Sequence, residues 1–168
     1  MMRLRVHHLL CSALYVGRGY SEAFCENMQR VAGWLWEPLS ETEKDRGMQG
    51  EPEYILCEGE QREVRLVTGP DNICRECPNL ADNGCRLDRN NVVSKDAALA
   101  QALGLETGRV YRVPELLHIV GRNLTAEIFE GSCQNCEWYR KGLCRYEPLM
   151  RKYQSAGPAG GPRFPLDI

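Results

Sequence analysis

The chain has 168 residues, of which 43% are hydrophobic and 26% charged, and its formal net charge is -2. That length fits a single domain able to bury a core without covalent staples. The near-neutral charge gives no electrostatic case for nucleic acid or an anionic membrane as partner.

Taken in chain order, residues 3 to 16 read as a first helix, with Leu4, Leu9, Leu10, Ala13 and Leu14 at helical spacing and Gly17 and Gly19 ending it. Ser21 is placed to cap a second helix reaching Trp36, whose apolar stripe is Phe24, Met28, Val31 and Leu35. Residues 37 to 53 carry six acids and no aromatic residue and read as a solvated loop. Tyr54 to Cys57 and Val64 to Thr68 read as two strands of a hairpin, followed by a turn at Gly69-Pro70-Asp71-Asn72. Helices resume with Ser94 as cap and Asp96 in the first turn, then from Pro114 to Leu124, with Gly121 a weak point. A short one after Thr125 ends near Gly131. The Gly- and Pro-rich segment 155 to 168 reads as a disordered tail. The expected fold is mainly α with a small β element (α+β). It is a single metal-binding domain over residues 1 to 154, helical and compact, with two cysteine-rich metal-binding loops.

Those loops carry the chemistry. Residues 74 to 85 read CRECPNLADNGC and residues 133 to 144 read CQNCEWYRKGLC, so one chain holds two C-x2-C-x7-C triads. A C-x2-C pair brings two thiolates to one metal centre, and a third cysteine can return to it through a short loop, with Gly84 and Gly142 easing the turn. A small buried hydrophobe is the plain reading of a cysteine, and it suits Cys25 in the second helix. It does not suit loop cysteines flanked by Arg75, Glu76, Asn79, Asp82, Gln134 and Asn135. The nine cysteines are an odd number, and the apolar run Leu9 to Val16 is short and followed by no small-residue cleavage site. No run reaches the length of a membrane span. The expectation is therefore a cytoplasmic protein with reduced thiols, where clustered cysteines signal metal or redox chemistry.

Two four-ligand centres need eight donors, and the triads supply six: Cys74, Cys77, Cys85, Cys133, Cys136 and Cys144. The remaining candidates are His7, His8 and Cys11. On a helix Cys11 follows His7 by four residues and His8 by three, so all three can share one face. Cys11 is expected to complete one centre, and His7 or His8 to complete the other or to stand behind it as a hydrogen-bond partner. The plain reading of the histidines is a solvated first turn. Cys57 is a reserve ligand, and His118, alone in an apolar helix, reads as a satisfied structural residue. Spacing favours [4Fe-4S] clusters, with zinc as the alternative.

The stretches RLRVHHLLC, GRGYSEAFCENM, VTGPDNICRECPNL and CQNCEWY resemble the domain-of-unknown-function family 1284, over residues 3 to 146. The resemblance implies an iron-sulfur or metal protein without an assigned reaction; Cys25 and Cys57 stand outside its pattern. Three functions compete: an iron-sulfur protein for electron transfer or sulfur and cluster handling, served by a redox or cluster-transfer protein partner; a structural zinc-binding interaction module, with Trp34, Trp36 and Trp138 as anchors or as core; and a thiol enzyme using Cys11 with His7 or His8.

Overall fold

A computed structural model describes residues 1–36, 62–82, 84–87 and 92–156. The acidic segment 37–53, the strand expected at Tyr54 to Cys57 with its reserve ligand, and residues 157–168 lie outside the described residues. The chain begins with strand β1 (Met2–Leu4) and helix α1 (Val6–Ala13), then α2 (Glu22–Trp36) and β2 (Glu63–Leu66). A 3-10 turn (Cys74–Glu76) leads into the hairpin β3 (Leu80–Ala81) and β4 (Gly84–Cys85). Helix α3 (Val92–Leu103), β5 (Val110–Arg112), α4 (Val113–Asn123), α5 (Ala126–Cys133), the single turn α6 (Glu137–Arg140) and α7 (Tyr146–Ala156) complete the described chain. The fold is mainly helical with a small β element, as the sequence implies.

The expected first helix divides in two. Residues 2–4 are extended because Leu4 is taken up by a sheet: β1 runs parallel to β2 in the register Leu4↔Leu66, and β2 runs antiparallel to β5 with Val64 opposite Tyr111. Alternation buries Leu4, Val64, Leu66 and Tyr111 on one face. Helical spacing of leucines cannot reveal this, since the partner strand lies some sixty residues on. Among the described residues β2 pairs with β1 on one side and β5 on the other, and the expected hairpin with Tyr54 to Cys57 lies outside them.

The helices close over that sheet. In α2 the Ser21 hydroxyl accepts from the Phe24 N–H (3.1 Å), and the expected stripe of Phe24, Met28, Val31 and Leu35 is buried. Helix α3 begins at Val92, before the expected cap at Ser94. Thr125 caps α5 through the Ile128 N–H (3.3 Å). Helix α7 has no counterpart among the elements expected from the sequence. It buries Leu149, Met150 and Tyr153 and runs two residues into the segment read as tail. Gly121 does not weaken α4 so much as admit α7, because a Cβ there would stand 3.2 Å from the Tyr153 Cβ.

The start of α1 has no side-chain cap of its own. Its free N–H groups are met by carboxylates from distant segments: the Arg5 N–H donates to Asp71 Oδ2 (2.7 Å) and the His7 N–H to Asp96 Oδ1 (3.0 Å). Asp96 also receives Arg5 Nε at 2.6 Å, with the two side chains 1% and 3% exposed. Burial works against the Arg5 charge, but Asp96 holds its pKa above the ordinary value. Removing one partner of so buried a pair strands the other charge. Asp96→Ala should cost about 3–5 kcal/mol of unfolding free energy in a urea titration, with Arg5→Met/Asp96→Leu recovering much of it. Although burial raises the Asp96 carboxyl, bonds from His7 and Arg5 pull it down to about 2. Its contribution therefore stands above the ordinary carboxylate range and fades as pH falls through that range toward about 2, a loss that a pH series of the same titrations will read.

Candidate metal centre

Five of the six triad cysteines sit in short regular elements or at helix ends, where the sequence suggests loops, and Cys144 lies in the loop before α7. Cys74 opens the 3-10 turn, Cys77 caps it, and Cys85 lies on β4. Cys133 ends α5 and Cys136 caps α6. Each C-x2-C pair closes the same way: the Cys77 N–H donates to the Cys74 carbonyl (3.0 Å), and the Cys136 N–H to the Cys133 carbonyl (2.8 Å). In the first triad the hairpin returns the third cysteine, since Cys85 is the register partner of Leu80. The Gly84 and Gly142 backbones have φ of 123° and 75°, so the turns do demand glycine. A Cβ on Gly84 would meet no protein atom within 4 Å, so the demand for glycine there is one of backbone angle.

The first triad is held by Asp71. Its carboxylate accepts the Ile73 N–H (2.9 Å) and Cys74 N–H (3.0 Å) on Oδ1, and the Arg5 N–H and His8 Nδ1 (2.6 Å) on Oδ2. Asn27 of α2 clamps the same turn, donating Nδ2 to the Asn72 and Ile73 carbonyls (2.8 and 3.2 Å). A ring nitrogen of His8, the Asp71 carboxylate and Cys74 Sγ all lie within 4.8 Å of one another. That arrangement and the many cysteines are compatible with metal binding.

The second triad gathers Cys11. Burial pushes the Cys11 thiol well up; of the groups that then act on its charge, Lys95 opposes and Cys133, Cys144 and Cys136 add. Cys144 is raised to about 11 by burial and by Cys136 and Cys133, and Cys133 is raised by burial and Cys136 against Lys95. Four thiols from α1, α5, α6 and the turn before α7 thus lie within electrostatic range of one another, and Lys95 within range of three of them. Tyr20, its own pKa lifted by burial, feels Cys136, Cys11 and Cys77, and its hydroxyl accepts Trp138 Nε1 at 3.0 Å. One tyrosine therefore stands within electrostatic reach of both triads.

The chemistry of these donors fits a thiolate-bound metal group. Burial raises Cys77 and Cys85 adds to it, while the polar groups of Asn79 and Leu80 beside it favour the thiolate. Cys74 is pushed up to about 12 by burial and by Asp71, and Arg5 works the other way. Arg5 Nη2 is buried and has no hydrogen-bond partner among the described residues. A thiolate or sulfide acceptor nearby would answer that orphan donor. Buried thiols of this kind ionise when a cation is there to balance them, so uptake releases protons.

His7 and His8 differ from a solvated first turn. Both are largely buried, their rings 4.2 Å apart, and each fixes Nδ1 on a carboxylate at 2.6 Å: His7 on Asp96, His8 on Asp71. Burial and the neighbouring His8 hold the His7 pKa down at about 4 against the pull of Asp96. A Cys11 thiol pushed upward and histidines tied at Nδ1 are the reverse of an activated thiol nucleophile. His118 is exposed on α4 and is no buried structural residue. Cys25 packs against the core as expected, Trp36 is core with Nε1 on Ser12 Oγ (3.1 Å), and all eight described cysteines are free. Asp71, Asp96, Arg5 and Lys95 escape the reading of the sequence. Asp96 carries a signal, standing on the same face as buried Leu99, Ala100 and Leu103, where a carboxylate needs a partner. Asp71 carries another, as a turn aspartate placed to accept the N–H groups two and three residues on.

The residues on either side of Cys144, Leu143 and Arg145, line a cleft of about 540 Å³ together with Leu14, Val16, Arg151 and Lys152. Among the described residues no helix is long and apolar enough to cross a membrane.

A family model described as a protein of unknown function (DUF1284) matches residues 51–142, more than half of the chain. The matched residues hold the first triad, Cys133 and Cys136; the His-His-Leu-Leu-Cys segment and Cys144 lie outside them. No curated protein and no solved structure matches.

Gly142 offers a direct test of the return loop. With φ at 75° and Arg145 Nη2 3.2 Å from the place of a Cβ, Gly142→Ala should lower stability by about 1–2 kcal/mol, read as a fall in Tm.

Proposed function

The chain belongs to the domain-of-unknown-function family 1284, and we propose that it is an iron-sulfur protein with two [4Fe-4S] centres, serving electron transfer or sulfur and cluster handling. One centre is held by Cys11, Cys133, Cys136 and Cys144, the other by Cys74, Cys77 and Cys85 with a further donor from the start of α1. The observation that supports this reading is that Cys11 lies within electrostatic range of all three cysteines of the second triad, a fourth thiol for that centre. Four thiolates around one zinc ion stand about 3.8 Å apart at the usual tetrahedral Zn–S length. Among the described residues, the donor atoms that all lie within 4.8 Å of one another belong to the His8, Asp71 and Cys74 group, and the Cys11 set is wider. Wider corners suit a four-iron cube better than a single ion.

When bound, such a cluster supplies one-electron chemistry or exchangeable sulfide. The protein's own part is to hold the sulfurs, to set Lys95 and Arg5 beside them as balancing charges, and to screen them with core side chains. The partner would be a redox or cluster-transfer protein. Arg145, Arg151 and Lys152, lining the cleft with Leu14, Val16 and Leu143, suit an acidic surface on that partner. A structural zinc module is the alternative, favoured by the tight His8, Asp71 and Cys74 group.

Anaerobic purification should give a brown protein with about eight irons and eight sulfides per chain. Cys11→Ala should lose roughly half of both and keep the first centre. Stoichiometric zinc without iron or sulfide would replace this reading with the zinc module.

A further inference from the structure

Seven cysteines leave one donor of the two centres unassigned, and the two histidines before Cys11 are not equivalent. His8 shares Asp71 with the first triad: Asp71 Oδ2 takes His8 Nδ1 at 2.6 Å while Oδ1 takes the Cys74 N–H at 3.0 Å. His7 is tied instead to Asp96, on α3. A carboxylate has about four lone-pair sites, and Asp71 uses four, on Arg5 N, His8 Nδ1, Ile73 N and Cys74 N. Asp71 is therefore spent as an acceptor, although its carboxylate, a ring nitrogen of His8 and Cys74 Sγ all lie within 4.8 Å of one another. What it does is fix the ring: with Nδ1–H donated to a buried carboxylate, a neutral ring at His8 presents its lone pair on Nε2, for which no hydrogen bond is made among the described residues. A carboxylate behind the imidazole is the usual support of a metal-bound histidine.

We propose that His8, through Nε2, is the fourth ligand of the first centre beside Cys74, Cys77 and Cys85, and that Asp71 is its positioning residue. The first centre then has three thiolates and one imidazole, and the second has four thiolates. The proposal rests on the iron-sulfur reading for the nature of the group, but not for the identity of the ligand. A neutral imidazole in place of a thiolate leaves a centre less negative and easier to reduce, so the two centres differ in potential, with the His8 centre the higher.

The test uses the full chain, purified anaerobically, as wild type, His8→Ala, His8→Cys, His7→Ala and Asp71→Asn, with selective nitrogen-15 labelling of histidine. Iron, sulfide and zinc are assayed first; zinc in place of iron and sulfide overturns the iron-sulfur reading alone, and the ligand question then passes to absorption spectra of the cobalt-substituted chain. With clusters present, pulsed paramagnetic resonance of the reduced protein should show a histidine nitrogen coupled to one centre. That coupling should vanish in His8→Ala and His8→Cys and persist in His7→Ala. His8→Cys, which keeps four donors, should retain full iron and bring the higher potential down toward the lower. Asp71→Asn should weaken retention of one centre about 10–100-fold against a chelator. Coupling that survives in His8→Ala, that is lost in His7→Ala, or that is absent from the loaded wild type overturns the proposal.

Discussion

Two buried aspartates hold the start of α1 in place, and both cysteine sets depend on that start. Asp71 and Asp96 come from segments more than twenty residues apart, yet they receive adjacent parts of Arg5-Val6-His7-His8. Each acts as a remote helix cap, an anchor for an imidazole and a neighbour of the Arg5 charge. A helix of eight residues is too short to be stable on its own. It is kept by the leucines it buries and by these two carboxylates. Through it, Cys11 is delivered to the far triad and His8 to the near one.

Much of the helical frame is legible from periodicity, because its determinants are local: the Ser21 cap and the four-residue stripe of α2, the Thr125 cap of α5, the proline that opens α4. The donors are legible as well, since the repeat of C-x2-C-x7-C needs no structure to be seen. Pairing at long range is not. Nothing near Leu4 announces Leu66, and nothing near Asp96 announces Arg5, so an extended start reads as helix and a buried anion as a first-turn acid. The grouping of Cys11 with the second triad stays open for the same reason, as sequence spacing allows either partner.

Cys11, Cys74, Cys77, Cys133 and Cys144 lie where burial opposes their ionisation, and the protein offsets this only in part, through Arg5, Lys95 and the polar groups around Cys77. Such surroundings are poor for a free thiolate and good for one neutralised by a cation. They discriminate between a reactive cysteine and a metal-binding one more sharply than cysteine count does.

The placing of Cys11 within electrostatic range of Cys133 has a consequence for chain topology. The first set draws its cysteines from a stretch of twelve residues and its proposed histidine from α1, whereas the second joins positions more than a hundred residues apart. A group bound there would act as a reversible staple across nearly the whole described chain, removing loop freedom from the unfolded ensemble as a disulfide does. The occupancy of one centre would then set how firmly the two ends of the domain stay joined, and its loss would loosen them while the near set stayed folded.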